Sequence, residues 1–207
     1  MPRTKPKALP PASPDDGATS IRIVAAARDH FFAHGFRGVT MDQLADELGM
    51  SKKTLYAHFA SKGRLLDAVL DAKFEHMRAE LEDITADSGE GFFVVLRKLL
   101  ACMHRHAGEI QPPFVRDVRR EDPAVFQSIE LRRREVIQRY FGRVFQNGRA
   151  AGVVRKDVPV RVVVEILLAA VQLIVNPARL DELKLTPKAG LTAITSVILE
   201  GVITRKR

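Results

Sequence analysis

Residues 38–66 read GVTMDQLADELGMSKKTLYAHFASKGRLL and decide the fold of the N-terminal part of the chain. Thr40 and Gln43 have the spacing of a capping box, which predicts the start of a short helix that stops at Gly49. Ser51 can cap a second short helix, and Ser61 a third. Two short helices joined by a tight glycine turn are the signature of a helix-turn-helix, whose second helix enters the DNA major groove.

The second helix of this motif has two different faces. Leu55 and Phe59 are four residues apart and therefore share one face, while Lys52 and Tyr56 share another. The apolar pair is expected to pack against the preceding short helix and against an earlier helix rich in phenylalanine. The expected packing partners are Leu44, Ala45, Leu48, Phe31, Phe32 and Phe36.

The polar face has the chemistry of a DNA contact. A tyrosine hydroxyl at position 56 can donate to a phosphate oxygen. Lys52 and Lys53 can reach phosphates or guanine edges. The backbone N–H groups at the helix starts near Thr40, Ser51 and Ser61 also favour phosphate. Between Leu48 and Leu66 the basic residues are Lys52, Lys53, Lys62 and Arg64, and there is no acidic residue.

The segment before the motif is predicted to be an arm followed by a helix. Residues 1–17 are a mixture of Pro, Ala, Ser and Asp with little apolar periodicity, which predicts a flexible basic arm. From Ser20 onward the pattern is helical and ends at Gly35. The positions that fall at helical spacing are Ile21, Val24, Ala25, Arg28 and Phe32.

The composition is that of a globular protein with a basic surface. Hydrophobic residues make up 46% of the chain and charged residues 28%, and the formal net charge is +8. An excess of positive charge suits polyanionic partners. The single cysteine, Cys102, excludes an intramolecular disulfide framework. Without a secretory signal or an uninterrupted apolar span, we expect no membrane association and a cytoplasmic location.

Helical patterns continue to the C-terminus. They predict helices around 90–108, 113–121, 123–150, 157–175 and 187–204, separated by glycine and proline. The Ser61-capped helix has an apolar stripe of Leu66, Val69, Leu70, Phe74, Met77 and Leu81. The valine-rich run VPVRVVVEIL favours strand by propensity, but its apolar character persists longer than a typical strand. We therefore predict an all-α fold of about nine helices.

The run over residues 38–66 resembles the DNA-binding domain of the tetracycline-repressor (TetR/AcrR) family of bacterial regulators. The resemblance covers roughly residues 20–68 and rests on several spaced constraints: Thr40 and Leu44-Ala45, then Gly49-Met50-Ser51, then Leu55-Tyr56 with His58-Phe59, then Ser61-Lys62. The rest of the chain is similar to the family only in the layout of its helices. The implied organisation is a basic arm (1–17), a three-helix DNA-binding domain (18–68) and a helical effector-binding and dimerisation domain (69–207).

The resemblance also implies how the first domain docks on double-stranded operator DNA. Thr40 would cap its helix at a phosphate, and Tyr56 and Lys62 would hold the backbone. The residues implied to face the groove are Ser51, Lys53, Thr54 and His58. Lys52 and Lys53 stand where family members often have glycine or proline, so they should raise the salt dependence of binding. The arm, with Arg3, Lys5 and Lys7, is a candidate for a minor-groove contact.

For the C-terminal domain, the resemblance implies a homodimer and a small apolar or amphipathic effector. Residues 158–175 are apolar on nearly every side, which predicts burial all round in a core or a partner subunit. One side of the last helix carries Leu191, Ile194, Val197, Ile198 and Val202, so the helices around 157–175 and 187–204 could form an intersubunit bundle. Arg161 and Glu165, four residues apart, are expected to pair. Ordinary core packing is the favoured interpretation for each candidate effector contact taken singly; the candidates are Phe93, Met103, His106, Phe114, Phe126, Tyr140, Phe141 and Gln172.

No catalytic, cofactor or metal site is predicted. His104, His106 and Cys102 tempt a metal interpretation, but their spacing does not bring all three onto one helical face. Nucleotide-binding, nucleophile-elbow and His/Glu metal motifs are all missing from the sequence, which speaks against an enzyme. Two hypotheses remain: a repressor controlled by an effector, and a DNA-binding dimer without an effector.

Overall fold

The computed structural model describes residues 14–86, 89–175 and 177–202, which hold ten helices and no strand. The all-α prediction is confirmed. The helices are α1 (Pro14–His34), α2 (Met41–Glu47), α3 (Lys52–His58), α4 (Lys62–Thr85), α5 (Phe92–Gly108), α6 (Pro112–Glu121), α7 (Pro123–Ala150), α8 (Val160–Ile174), α9 (Pro177–Leu183) and α10 (Pro187–Val202).

One helix start and the number of helices differ from the sequence-based expectation. Helix α1 begins at Pro14 rather than at Ser20, because proline at the first helical position sacrifices no hydrogen bond. Arg3, Lys5 and Lys7 of the predicted arm lie outside the described residues. The short helix α9 was not predicted, and it brings the number of helices to ten instead of about nine.

The chain divides into two compact units. Of the described residues, the first unit contains 14–75 together with 108–126, and the second contains 76–107 together with 127–202. Helix α6 therefore belongs to the same unit as α1 to α3. The domain boundary predicted at residues 68/69 stays a prediction.

In the first unit, a core of α1 residues supports the short helices. Ile23, Ala27 and Phe31 are fully buried, whereas Ile21, which the spacing placed on the apolar stripe, is 71% exposed. The buried side of α1 is therefore rotated about the helix axis relative to the predicted stripe. The sequence did not distinguish the two, because Val24 and Ala25 can lie on either side of the helix. The end of α1 at His34 is as predicted, with Gly35 in the left-handed region at φ 91°.

Helix α6 packs on α1 within the first unit. The Gln111 N–H donates to the Phe32 carbonyl at 3.0 Å, and the rings of Phe32 and Phe114 meet edge-on with centroids 5.1 Å apart. The buried Asp117 carboxylate accepts the Arg37 N–H at 3.0 Å. A Cβ on Gly35 would come within 2.5 Å of that carboxylate, so this close approach requires glycine.

In the second unit, α8 and α10 pack on one another. Val163, Val164 and Leu167 are the buried side of α8, and Ile194 is buried on α10. Val197, predicted to share the side of Ile194, is 73% exposed, and the side chain of Val202 lies outside the described residues. The valine-rich run is helical, as its length predicted.

Another side of α8 is joined to α7 by an ion pair and by hydrogen bonds between side chains. The Arg134 guanidinium and the Glu165 carboxylate form an ion pair at 2.6 Å, and Gln138 donates to the same carboxylate at 2.8 Å. The partner expected from the sequence was Arg161, so Glu165 is paired across helices rather than along its own. Gln172, an effector candidate, is exposed and donates to Glu130 at 3.1 Å.

Candidate nucleic-acid interface

The turn between α2 and α3 is built by its caps. The Thr40 Oγ1 accepts the Gln43 N–H at 3.2 Å and the Gln43 Oε1 accepts the Thr40 N–H at 2.9 Å, which confirms the capping box. Gly49 adopts φ 64°, a conformation that glycine takes without strain. Ser51 then caps α3, and its Oγ accepts the Thr54 N–H at 3.0 Å. Both helix starts are therefore satisfied by residues adjacent in sequence.

One side of α3 anchors it to the first unit. Leu55 is fully buried, as are Leu44 and Ala45 of α2. Phe59, predicted as a second anchor, is only half-buried and lies just beyond the last residue of α3. His58 is half-buried, and its Nδ1 is hydrogen-bonded to the Ser20 Oγ of α1 at 3.0 Å. The end of α3 is thus tied to α1 as well as to α2.

The other side of α3 faces solvent and carries the groups predicted to meet DNA. Ser51, Lys53 and Thr54 are exposed, and Tyr56 is 46% exposed in spite of its large ring. The Ser51 and Thr54 hydroxyls lie 2.8 Å apart, so each is already partnered while still open to solvent. This side therefore presents hydroxyls, an ammonium group and a phenol around one short helix.

The adjacent lysines at the start of α3 have different environments. Lys52 forms an ion pair with the Asp42 carboxylate of α2 at 2.6 Å, and this hydrogen bond raises the pKa of its ammonium group. For Lys53 the described residues contain no acidic side chain within ion-pair distance. Part of the charge of Lys52 is therefore balanced inside the domain, which the sequence did not indicate.

Lys62, predicted to contact the DNA backbone, lies against the aromatic residues at the end of α1. Its Nζ lies 4.4 Å from the centroid of the Phe36 ring and 5.9 Å from that of Phe31, within the range of cation–π attraction. It also donates to the Arg37 carbonyl at 3.4 Å. Partial burial lowers the pKa of this ammonium group, against the effect of Glu121 and Asp117. A structural role is established by this geometry, and the phosphate contact stays a prediction.

The effector candidates are divided between the two units. Phe114 and Phe126 are in the first unit, where Phe114 packs on Phe32 and Phe126 lies 5.7 Å below the Arg119 guanidinium. In the second unit, His106, Tyr140 and Phe141 are buried, Met103 is half-buried, and Phe93 is 53% exposed. The Tyr140 hydroxyl donates to the Arg78 carbonyl at 3.3 Å. Burial raises the pKa of this phenol.

With this geometry described, the chain can be compared with known proteins. Residues 23–69 match the family model described as bacterial regulatory proteins, tetR family. These residues run from α1 through α2 and α3 into α4 and include every DNA-contact candidate of the helix-turn-helix. These residues are a tetR-family domain. The matched family model is one of regulatory proteins and not of a catalytic family.

Two named relatives of the chain are transcriptional repressors. It is 39% identical over 62 residues to the HTH-type transcriptional repressor SCO4008 of Streptomyces coelicolor, which covers 30% of the chain and 32% of SCO4008. It is 26% identical over 140 residues to the repressor AcnR of Corynebacterium diphtheriae, which covers 68% of the chain and 70% of AcnR. The chain thus spans about a third of SCO4008 and more than two thirds of AcnR.

The fold is shared over most of the chain. The structure of SmeT in complex with triclosan superposes with a TM-score of 0.70 at 18% identity, covering 90% of this chain and 92% of SmeT. SmeT is the repressor of a multidrug efflux pump of Stenotrophomonas maltophilia. At this identity the likeness concerns the fold. Within the described residues, no helix has the length and apolar character needed to cross a bilayer.

Proposed function

We propose that the chain is a transcriptional repressor that binds operator DNA through the exposed side of α3. The observation that carries this proposal is that Leu55 of α3 is fully buried while the adjacent Tyr56 is exposed. Side-chain caps also fix the starts of both α2 and α3. A short helix held this firmly can place its solvent side in a major groove. The repressor sense is taken from SCO4008 and AcnR.

The contacts divide by chemistry. Tyr56 and Lys53 are suited to phosphate oxygens, where they would set affinity and register. Ser51 and Thr54, at the N-terminal end of α3, are placed to reach base edges, as hydroxyls can donate and accept. Thr40, whose side chain is engaged in its cap, would act by presenting the start of α2 to a phosphate.

Homodimerisation through α8 and α10 is part of the same proposal. Val162, Ile166 and Leu173 repeat at helical spacing on α8 and are 45%, 53% and 71% exposed. A solvent-facing row of large aliphatic side chains on a helix whose other sides are already packed fits a second copy of the chain. Two copies would present two α3 helices to half-sites about 34–36 Å apart or a multiple of that distance.

Footprinting of the purified full chain on the DNA flanking its own gene tests this proposal. We expect a protected, two-fold symmetric site. Lys53→Glu should abolish protection because it places a carboxylate against phosphate, whereas Lys98→Glu makes the same charge change on α5 and should leave protection intact. Lys98 pairs with Glu90 at 2.6 Å, far in sequence from the interface. Equal loss in both variants, or none in Lys53→Glu, would remove α3 from the interface.

We further propose that a small apolar or amphipathic effector binds the second unit and weakens operator binding. Met103, Tyr140 and Phe141 are the candidates there that combine bulk with burial or partial burial, and the fold neighbour SmeT was solved with triclosan. Coupling of about 1–3 kcal/mol would lower operator affinity roughly 5–150-fold. A panel of such compounds, triclosan included, should raise Tm and release DNA. Unchanged Tm and affinity across the panel would favour a DNA-binding dimer without an effector.

A further inference from the structure

Two histidines and a glutamate from α4 and α5 converge in the second unit. His76 and Glu80 are one turn apart on α4, and His106 lies on α5. The His76 Nε2 is 3.0 Å from one carboxylate oxygen of Glu80, and the His106 Nε2 is 3.3 Å from the other. All three donor atoms lie within 4.8 Å of one another. We name these residues the His–Glu–His cluster.

The separations in the His–Glu–His cluster match those between ligands on one small cation. Zinc binds histidine nitrogen and carboxylate oxygen at about 2.0–2.2 Å, which puts neighbouring ligands of a tetrahedral site roughly 3.4 Å apart. The two nitrogen–oxygen distances are 3.0 and 3.3 Å and end on different oxygens of the Glu80 carboxylate, and the three ligand atoms lie within 4.8 Å of one another. The two imidazole rings meet edge to face with centroids 5.6 Å apart, so both approach the carboxylate from different directions. Small side-chain rotations would bring all three atoms onto one ion.

The surroundings hold the carboxylate and leave one approach open. Cys102 Sγ donates to the Glu80 Oε2 at 3.3 Å, and the Arg105 guanidinium pairs with the same oxygen. His106 is buried, whereas the His76 side chain is 62% exposed. The Arg105 side chain is itself 58% exposed. It can turn into solvent when a cation takes its place beside Glu80.

We propose that the His–Glu–His cluster is a binding site for a divalent first-row transition-metal ion of the zinc class. His76 Nε2, His106 Nε2 and a Glu80 oxygen supply the three protein ligands, and water completes the coordination through the exposed side of His76. Imidazole nitrogen suits zinc, copper, nickel and iron, whereas magnesium and calcium prefer all-oxygen sites. Cys102 orients the carboxylate from behind, as second-layer hydrogen bonds do in metal sites.

On α5 alone, Cys102, His104 and His106 cannot share a face, so the sequence predicted no metal site. The tertiary fold brings the one-turn pair His76 and Glu80 of α4 against His106. The H-x-x-x-E spacing on α4 was the available signal, but one such pair occurs on many solvated helices.

The test is calorimetric titration of zinc chloride into the untagged full chain after chelator treatment and dialysis. We expect one ion per chain with micromolar or tighter affinity. His76→Ala should weaken binding at least about tenfold, since even second-layer changes cost 10–100-fold. His104→Ala is the matched control, as it removes an exposed histidine from α5 outside the cluster. Both the titrated ion and the variants leave DNA out of the measurement, so the result is independent of the proposed function.

Three further arms make the outcome decisive. Glu80→Gln should lose affinity as His76→Ala does, and circular dichroism should show that both variants keep their helical content. Cobalt(II) should give visible ligand-field bands in the wild type and lose them in His76→Ala. Magnesium should not compete. The proposal is overturned by no zinc binding, by equal effects of His76→Ala and His104→Ala, or by equal binding of zinc and magnesium.

Discussion

Helices α3 and α8 each bury one side and expose another, but their exposed sides differ in chemistry. On α3 the exposed residues other than Ala57 are polar or amphipathic, and Lys53, Thr54 and Tyr56 lie around a buried Leu55. On α8 the exposed row consists of Val162, Ile166 and Leu173, opposite a buried Val164. One helix therefore offers charge and hydroxyls to solvent, while the other offers only aliphatic surface along that row.

The difference indicates two kinds of partner. The polar groups on α3 are well solvated, so their exposure to water costs little free energy before a phosphate replaces that water. This side can therefore remain open in the free protein. Exposed aliphatic surface costs roughly 25 cal/mol per Å² in water. Burial against a second copy would remove that cost. The polar residues of α8 do not offset it, because Glu165 and Gln172 are engaged with α7.

The largest expected effect is on assembly. Ile166→Glu together with Leu173→Glu should convert the dimer to a monomer, because each substitution buries a charge in the proposed aliphatic interface. Loss of a central contact of at least about 2 kcal/mol corresponds to roughly a 30-fold weaker dimer for each site. Sedimentation equilibrium at micromolar concentration measures the change, and operator affinity should fall with it.

The control for assembly is Ile21→Glu. Ile21 is 71% exposed, comparable with Leu173, but it lies on α1 of the first unit. This variant should keep the oligomeric state of the wild type. A wild-type monomer, or a dimer that survives both α8 substitutions, would contradict the assignment of the aliphatic row to a second copy.

The next effect concerns the phenol on α3. Tyr56→Phe keeps the ring but removes the hydroxyl, so affinity should fall for every DNA sequence tested and not for the operator alone. A hydrogen bond to a charged group is worth about 1.5–3 kcal/mol, or roughly ten- to a hundredfold. Fluorescence anisotropy with operator and scrambled duplexes measures both affinities. Unchanged binding would take Tyr56 off the list of contacts.

A smaller effect is expected at the start of α2. Thr40→Val removes the capping hydroxyl and should lower the free energy of unfolding by about 1 kcal/mol, since the Gln43 N–H loses its acceptor. Urea denaturation followed by circular dichroism measures this loss. Gln43→Glu retains an oxygen that can accept the Thr40 N–H, so it should keep most of the stability. An unchanged stability of Thr40→Val would mean that the box does not hold the helix.

The parts of the interface that were predictable are local in sequence. Thr40 with Gln43, Gly49, and Ser51 with Thr54 define the helix-turn-helix through contacts three or fewer residues apart. The apolar stripe of α4 was predictable for the same reason, and all of its members from Leu66 to Leu81 are buried. Periodicity and caps need no knowledge of the tertiary fold.

The parts that could not be predicted depend on distant partners. Lys52 pairs with Asp42 across the turn, Glu165 pairs with Arg134 of α7 rather than with its own helix, and His58 is joined to Ser20. Sequence spacing identifies candidate groups but not which side chain comes opposite. The same reason hid the convergence of α4 and α5 at Glu80.

A finer effect separates the two lysines of α3. Lys53→Ala should reduce the slope of log affinity against log salt by about 0.9, the value for one lost phosphate contact on B-DNA. Lys52→Ala should reduce it by less, because Asp42 already balances part of its charge. Anisotropy titrations over a series of salt concentrations give both slopes. Equal reductions would show that the Lys52–Asp42 pair opens on binding.

The smallest expected effect is the pH dependence of the Arg134–Glu165 ion pair between α7 and α8. The hydrogen bond from Arg134 lowers the pKa of the Glu165 carboxyl group, so the pair contributes stability above the unfolded pKa of about 4.3 and loses it as pH falls through the lower folded value. A double-mutant cycle of Arg134→Gln and Glu165→Gln should show favourable coupling at pH 7 that disappears near pH 2. Urea unfolding of the four proteins at both pH values measures it, and coupling that persisted in acid would be incompatible with an ion pair. Because the Arg134 side chain is 61% exposed, the coupling should also shrink in high salt, unlike the burial of the aliphatic row.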